Sequence, residues 1–304
     1  ARAFGALLQL AAGVGFLIGL PHPSGKLAFL NTAFMGAAML AFSGWFTGYT
    51  LHRNRERAAR YERGASKVAA IWGTVWWLFG GVGEIDRLAS DWPFGLILIY
   101  VAGTCLALTF AGLRWAWPMA RLIGVFLPFV AIAFASLVAL DVGHPFGEGG
   151  IVGWSALFAV LYWTLQGVER DALAPRAHPV LHAVAAWALI ALAAWELHWQ
   201  LDRHTAGVWP ALAWGIVPTL AIASLGRHTL KPTWPLARHE DLYRVIVALP
   251  LIVVLALWIV VVDLTSRGDP IWLPYVPLLN PLDITVALAW AAGALWWTAL
   301  SQAQ

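Results

Sequence analysis

Two short stretches set ionisable side chains beside tryptophan. GEIDRLASDWP runs from Gly83 to Pro93 and QLDRHTAGVWP from Gln200 to Pro210, each bordering a long apolar run. Just ahead of the second lies AAWELHW, which carries Glu196 and His198. An ionisable group inside an apolar span costs ~3 kcal/mol near the centre of an inserted helix, so it is expected to face protein or water. By that measure the candidates are Glu84, Glu196, His198 and Asp202. His198 and Asp202 stand at i,i+4 and share a helical face, where a carboxylate can orient an imidazole. Trp76 and Trp77 lie near Glu84, and Trp195 and Trp199 flank Glu196. Aromatic faces beside carboxylates suit a sugar or glycolipid headgroup, whose ring face stacks while its hydroxyls donate hydrogen bonds. The four polar residues are expected to converge on one outer-edge cleft. Asp86 with Arg87, and Asp202 with Arg203, recur as pairs and read as structural ties at a hairpin turn.

Other chemistry is sparse. There is no phosphate loop, nucleophile elbow or HExxH pattern, and the single cysteine, Cys105, rules out a disulfide framework or a Cys-based metal site. His178 and His182 also stand at i,i+4, a spacing that binds metal, but no third ligand accompanies them in the sequence. Neither a metal nor a cofactor is expected.

The elements that must position these residues are helices in a membrane. Apolar residues form 61% of the 304 and charged residues 12%, and the mean hydropathy is +0.72, where a soluble domain carries roughly twice that charge. A span needs ~20 apolar residues. Ten such runs occur, near Phe4 to Leu20, Leu27 to Thr50, Val68 to Val82, Phe94 to Leu113, Leu122 to Leu140, Ile151 to Val168, Pro179 to Trp199, Trp209 to Leu225, Val245 to Val262 and Ile284 to Leu300. Lacking the alternation of a lipid-facing barrel, they predict an all-α integral membrane protein.

Lys and Arg are retained on the cytoplasmic side during insertion. With the first residue cytoplasmic, that side collects 15 of the 19 basic residues, leaving only Lys26, Arg87, Arg203 and Arg267 outside. The outer side collects 10 of the 16 carboxylates. The net charge of +3 therefore describes inner loops, which suit anionic lipid and not nucleic acid. The run HRNRERAARYER from His52 reads as a topology signal.

The chain also repeats itself. IDRLASDWP (Ile85 to Pro93) lies over LDRHTAGVWP (Leu201 to Pro210), and WPMAR (Trp117 to Arg121) over WPLAR (Trp234 to Arg238). In both copies the next run holds a proline, Pro128 or Pro250, and then an aspartate, Asp141 or Asp263. Aromatic-Thr landmarks at Trp45 to Thr47, Tyr162 to Thr164 and Trp296 to Thr298 complete a unit of four helices and roughly 120 residues. The expected divisions are the end of one repeat at 1–26, whole repeats at 27–150 and 151–280, and the start of a third at 281–304. An even number of crossings keeps the copies in the same orientation. With ARAFGALLQ at its start carrying no signal-peptide pattern, and Pro21-His22-Pro23 matching the His144-Pro145 of a repeat end, the chain reads as a fragment of a longer array.

WLPYVPLLNPLDITVALAW (Trp272 to Trp290), WWLFGGVGEIDR from Trp76 and AHPVLHAVAAWALIALAAWELHW (Ala177 to Trp199) together resemble domain-of-unknown-function family 2339. The resemblance is strongest over PLLNPLD, Pro277 to Asp283. It implies a large multi-pass protein of the bacterial inner membrane and supplies no activity to transfer.

Two functions fit. One is a transporter or scaffold that binds an envelope lipid, glycolipid or glycan at the periplasmic edge, together with the rest of its polypeptide or other membrane subunits. The other is a membrane-embedded transferase or hydrolase for a lipid-linked or saccharide substrate, with Glu196 or Asp202 as base. Polar groups crowd the outer rim here, whereas a transporter's lie near the midplane; this favours surface binding or chemistry.

Overall fold

Lipid offers a backbone no hydrogen-bond partner, so each apolar run must close its own bonds, and it does so as a helix. The computed structural model describes residues 2–19, 27–57, 59–89, 92–226, 233–271, 274 and 276–303. Within them lie α1 (Arg2–Ile18), α2 (Thr32–Arg53), α3 (Arg60–Leu88), α4 (Pro93–Arg114), α5 (Pro118–Val142), α6 (Gly150–Arg170), α7 (His178–His204), α8 (Trp209–Gly226), α9 (Ala248–Thr265) and α10 (Pro281–Ala303). Eight helices, α3 to α10, are long and apolar enough to cross a membrane, and there is no strand among the described residues. The chain is an all-helical, multi-pass membrane protein. Of the residues named above, Leu20, Pro21, His22, Pro23, Lys26 and Trp272 lie outside the described residues.

Two helices outlast their apolar runs. α3 has 29 residues and α7 has 27, which at a rise of 1.5 Å gives about 43 and 40 Å against the ~30 Å hydrocarbon core. The charged segments at Glu84 to Arg87 and Glu196 to Arg203 are therefore overhanging last turns of helix, not loop.

The chain divides into two compact units, Ala1–Ala135 with Phe146–Leu173, and Ser136–Pro145 with Ala174–Gln304. In the first unit, glycines let helix backbones approach. A Cβ on Gly44 of α2 would come 2.8 Å from the Gly73 Cα of α3, and one on Gly153 of α6 would come 2.9 Å from the Gly95 carbonyl of α4. This close approach through small residues is how helices associate where no water drives them together. Indoles add directional ties: Trp45 Nε1 donates to Thr74 Oγ1 and Trp77 Nε1 to Thr104 Oγ1, both at 3.1 Å.

In the second unit, α8 lies against α7, α9 and α10, around a core that includes Ile222, Val247, Leu251, Ala289 and Trp296. α9 is entered through a π-helical turn, Leu242–Val247, three residues before Pro250, which cannot donate a backbone bond. Two carbonyls of the distorted turn find side-chain donors instead: Trp187 Nε1 donates to Val247 at 3.1 Å and Trp296 Nε1 to Arg244 at 2.6 Å. Non-helical backbone at membrane depth requires such partners, and several tryptophans thus serve between helices and not as an interfacial belt. The step of two helices that pairs α4 with α6 recurs in the pairing of α8 with α10.

Candidate functional site

Glu84, in the first unit, is 4% exposed and fully engaged. Its carboxylate accepts from Arg87 Nη2 at 2.6 Å, from Arg87 Nε at 3.2 Å, from Asn31 Nδ2 at 2.7 Å and from the Phe29 amide at 3.0 Å. Asn31 is also the N-cap of α2, its Oδ1 accepting from the Phe34 amide at 2.9 Å. The last turn of α3 is in this way stapled to the start of α2 by a carboxylate with a bidentate arginine on its own helix. Arg87 thus pairs with Glu84, while Asp86, its expected partner, is exposed. Trp76 is 4% exposed in a cluster with Ala37, Leu40 and Ala41. Trp77 stacks on Tyr100 with centroids 5.8 Å apart. Both rings of this pair are occupied with helix packing.

The second unit holds Glu196, His198 and Asp202, on the last turns of α7. Successive residues advance about 100° around a helix, so residues two apart diverge, and the structure separates Glu196 from His198 accordingly. On one face, Glu196 meets His144 from the segment after α5: His144 Nε2 is 3.3 Å from Oε2. Gln200 Nε2 donates to Glu196 Oε1 at 2.6 Å. His144 lies flat on Trp199, centroids 3.5 Å apart at 6°, and the Arg203 guanidinium stands 5.6 Å from the Trp199 ring. Arg203 is therefore a partner of Trp199. The imidazole that joins Glu196 belongs to His144 and not to His198; only the fold could bring it there, because its position in the sequence lies a whole helix away.

On the other face, His198 and Asp202 line one cavity of about 410 Å³ with Gly207, Trp214, Trp258 and Thr265. Their i,i+4 spacing sets both on the side of α7 that lines this cavity. What orients the imidazole is the Pro210 carbonyl of α8, 2.8 Å from His198 Nδ1. A carbonyl only accepts, so Nδ1 carries the proton and Nε2 of the neutral ring is an acceptor. Pro210 ends the recurring Trp-Pro element, and its bond to His198 gives that element a local purpose.

A larger apolar groove shares part of its lining with this polar mouth. A cavity of about 580 Å³ between α7, α8 and α9 is lined by Trp187, Ile190, Pro218, Pro250, Leu251 and Val254. Trp214, Trp258 and Val261 line both spaces. Trp258 is fixed by donation from Nε1 to the Ala211 carbonyl at 3.0 Å, and the rings of His198 and Trp214 stand 6.0 Å apart. The two indoles at the junction, Trp214 and Trp258, sit in runs whose apolar character hid them as site residues. The arrangement offers apolar length for a chain, aromatic faces for a ring, and the acceptors of His198 and Asp202 for hydroxyl or ammonium donors.

A family model described as predicted membrane protein (DUF2339) matches residues 3–304. No curated protein and no solved structure matches the chain.

Proposed function

We propose, for a chain that belongs to the DUF2339 family of predicted membrane proteins, that it binds an amphiphile in the groove between α7, α8 and α9. The lipid tail lies along the apolar part and a hydroxyl-bearing headgroup, that of a glycolipid, meets His198 and Asp202. The reading is carried by the adjacency of the two cavities, which share Trp214, Trp258 and Val261 in their linings. A tail alone needs no acceptors, and a soluble sugar needs no apolar groove of 580 Å³; an amphiphile needs both. The mouth favours hydroxyls over phosphate, because Asp202 is an exposed carboxylate and like charges disfavour one another. The distribution of Lys and Arg supports residue 1 on the cytoplasmic side and the mouth on the opposite face, which is the periplasmic face in the bacterial inner membrane that the family resemblance implies. The repeated landmarks support four-helix repeats, and a scaffold or transporter is the role in which this groove serves.

Native mass spectrometry of the protein titrated with a glycolipid and with phosphatidylglycerol tests the reading. Selective glycolipid binding, weakened about tenfold or more by Asp202→Asn with His198→Ala, is expected, since each lost hydrogen bond to a charged group is worth about 1.5–3 kcal/mol. Equal binding of both lipids, or a double variant that binds as the wild type does, overturns it.

A second reading rests on Glu196 and His144, whose 3.3 Å approach is that of a carboxylate with an imidazole in a general-base pair. On this reading the protein is a transferase or hydrolase of a lipid-linked saccharide. Glu196→Gln would then abolish turnover of bound glycolipid while leaving its binding intact; unchanged turnover rules it out.

A further inference from the structure

At the opposite end of α7 from the groove mouth, a second polar cluster lies inside the same unit. His182 has 0% of its surface exposed. Its ring stands 4.5 Å from that of His239, tilted by 40°, and a ligating nitrogen of each lies within 4.8 Å of the other. Its Nδ1 is 3.1 Å from the hydroxyl of Tyr243, and Trp234 closes against the ring edge-on at 5.8 Å. His239 and Tyr243 are i,i+4, and the Tyr243 amide donates to the His239 carbonyl at 3.0 Å, so the two residues stand one turn apart where the helix begins.

We propose that His182 and His239 are two ligands of a divalent transition-metal ion, zinc being the best match. Imidazole nitrogen suits zinc, and bonds of about 2.0–2.1 Å in tetrahedral geometry set two nitrogens about 3.4 Å apart. Ligation would require the half-buried ring of His239 to turn its nitrogen to that separation. Tyr243 occupies Nδ1 of His182, which assigns ligation to Nε2 and fixes the ring, the outer-shell role that ligating histidines commonly require. The sequence spacing pointed to His178 as the companion of His182; the fold supplies His239 instead.

The test uses the full chain in detergent, stripped with a chelator and titrated with Co(II) and then Zn(II). One equivalent of Co(II) with visible absorption bands is expected, displaced by Zn(II), and X-ray absorption of the zinc form should count two imidazoles. Tyr243→Phe should weaken binding about 10–100-fold, His239→Ala should abolish it, and His178→Ala should leave it unchanged. His182→Ala should also abolish binding, but it removes a fully buried side chain; if that variant misfolds, His239→Ala decides the matter. Absence of Co(II) bands, an imidazole count of none or one, or wild-type affinity in folded His239→Ala overturns the assignment.

Discussion

His144 lies parallel to Trp199 with ring centroids 3.5 Å apart, and its Nε2 stands 3.3 Å from Glu196 on the same helix. The segment that follows α5 is thereby fastened to the last turns of α7 by one side chain with two attachments, a stacked face and a polar edge.

The two attachments should be separable. His144→Ala loses both the stacked ring and the imidazole beside Glu196, a cost of about 1–3 kcal/mol. His144→Phe keeps the stacking alone and should fall between that variant and the wild type. Thermal unfolding in one detergent measures both; equal midpoints for the three proteins would show that the clasp contributes nothing.

Glu84 should matter more for stability than for any reaction. Its carboxylate holds Arg87, Asn31 and the Phe29 amide at once, and removing one partner of a buried ion pair costs about 3–5 kcal/mol. Glu84→Ala is expected to lose about that much. Glu84→Ala combined with Arg87→Ala should lose less than the sum of the two single changes, because neither charge is then stranded. Strict additivity in this double-mutant cycle contradicts the staple.

The helices were legible because lipid leaves an apolar run little choice but to be helical; the run at Trp209 to Leu225 becomes Trp209–Gly226 almost unchanged. Helix ends were less legible where charge begins: the run that seemed to stop at Val82 continues to Leu88, since a pair such as Glu84 with Arg87 carries helix into water. At the candidate site, the i,i+4 rule set His198 on the face of Asp202, and both line one cavity. It was silent on Pro210, Trp214 and Trp258, which arrive from other helices. Depth along α7 suggested grouping Glu196 with His198, but direction around the helix separates them, and hydropathy carries no information about direction. His144 stood out only as a repeat landmark, with no local signal of its contact with Glu196.

Close packing of α2 on α3 gives a paired expectation. A Cβ on Gly73 would stand 2.6 Å from the Ala41 carbonyl, while Gly103 has nothing within 4 Å. Gly73→Ala should destabilise by about 1–3 kcal/mol through overpacking, and Gly103→Ala should be neutral or stabilising by up to about 1 kcal/mol through helix propensity. Unfolding midpoints in the opposite order would mean that the helices are held farther apart.

Orientation follows from the basic loops. Arg57→Cys in the α2–α3 loop should resist an impermeant thiol reagent in intact cells, and Asp269→Cys, between α9 and α10, should react. The reverse pattern would place the groove mouth in the cytoplasm.

Whether an amphiphile occupies the groove can be read by placing a photo-crosslinking residue at Val254, which lines the apolar cavity, and another at Val130, a residue of α5 that is 50% exposed. After irradiation in native membranes, mass spectrometry of the adducts should find a lipid with a hydroxyl-rich headgroup at Val254 and ordinary bulk phospholipid at Val130. The same bulk phospholipid at both positions, in the same proportions, would contradict a selective binding groove.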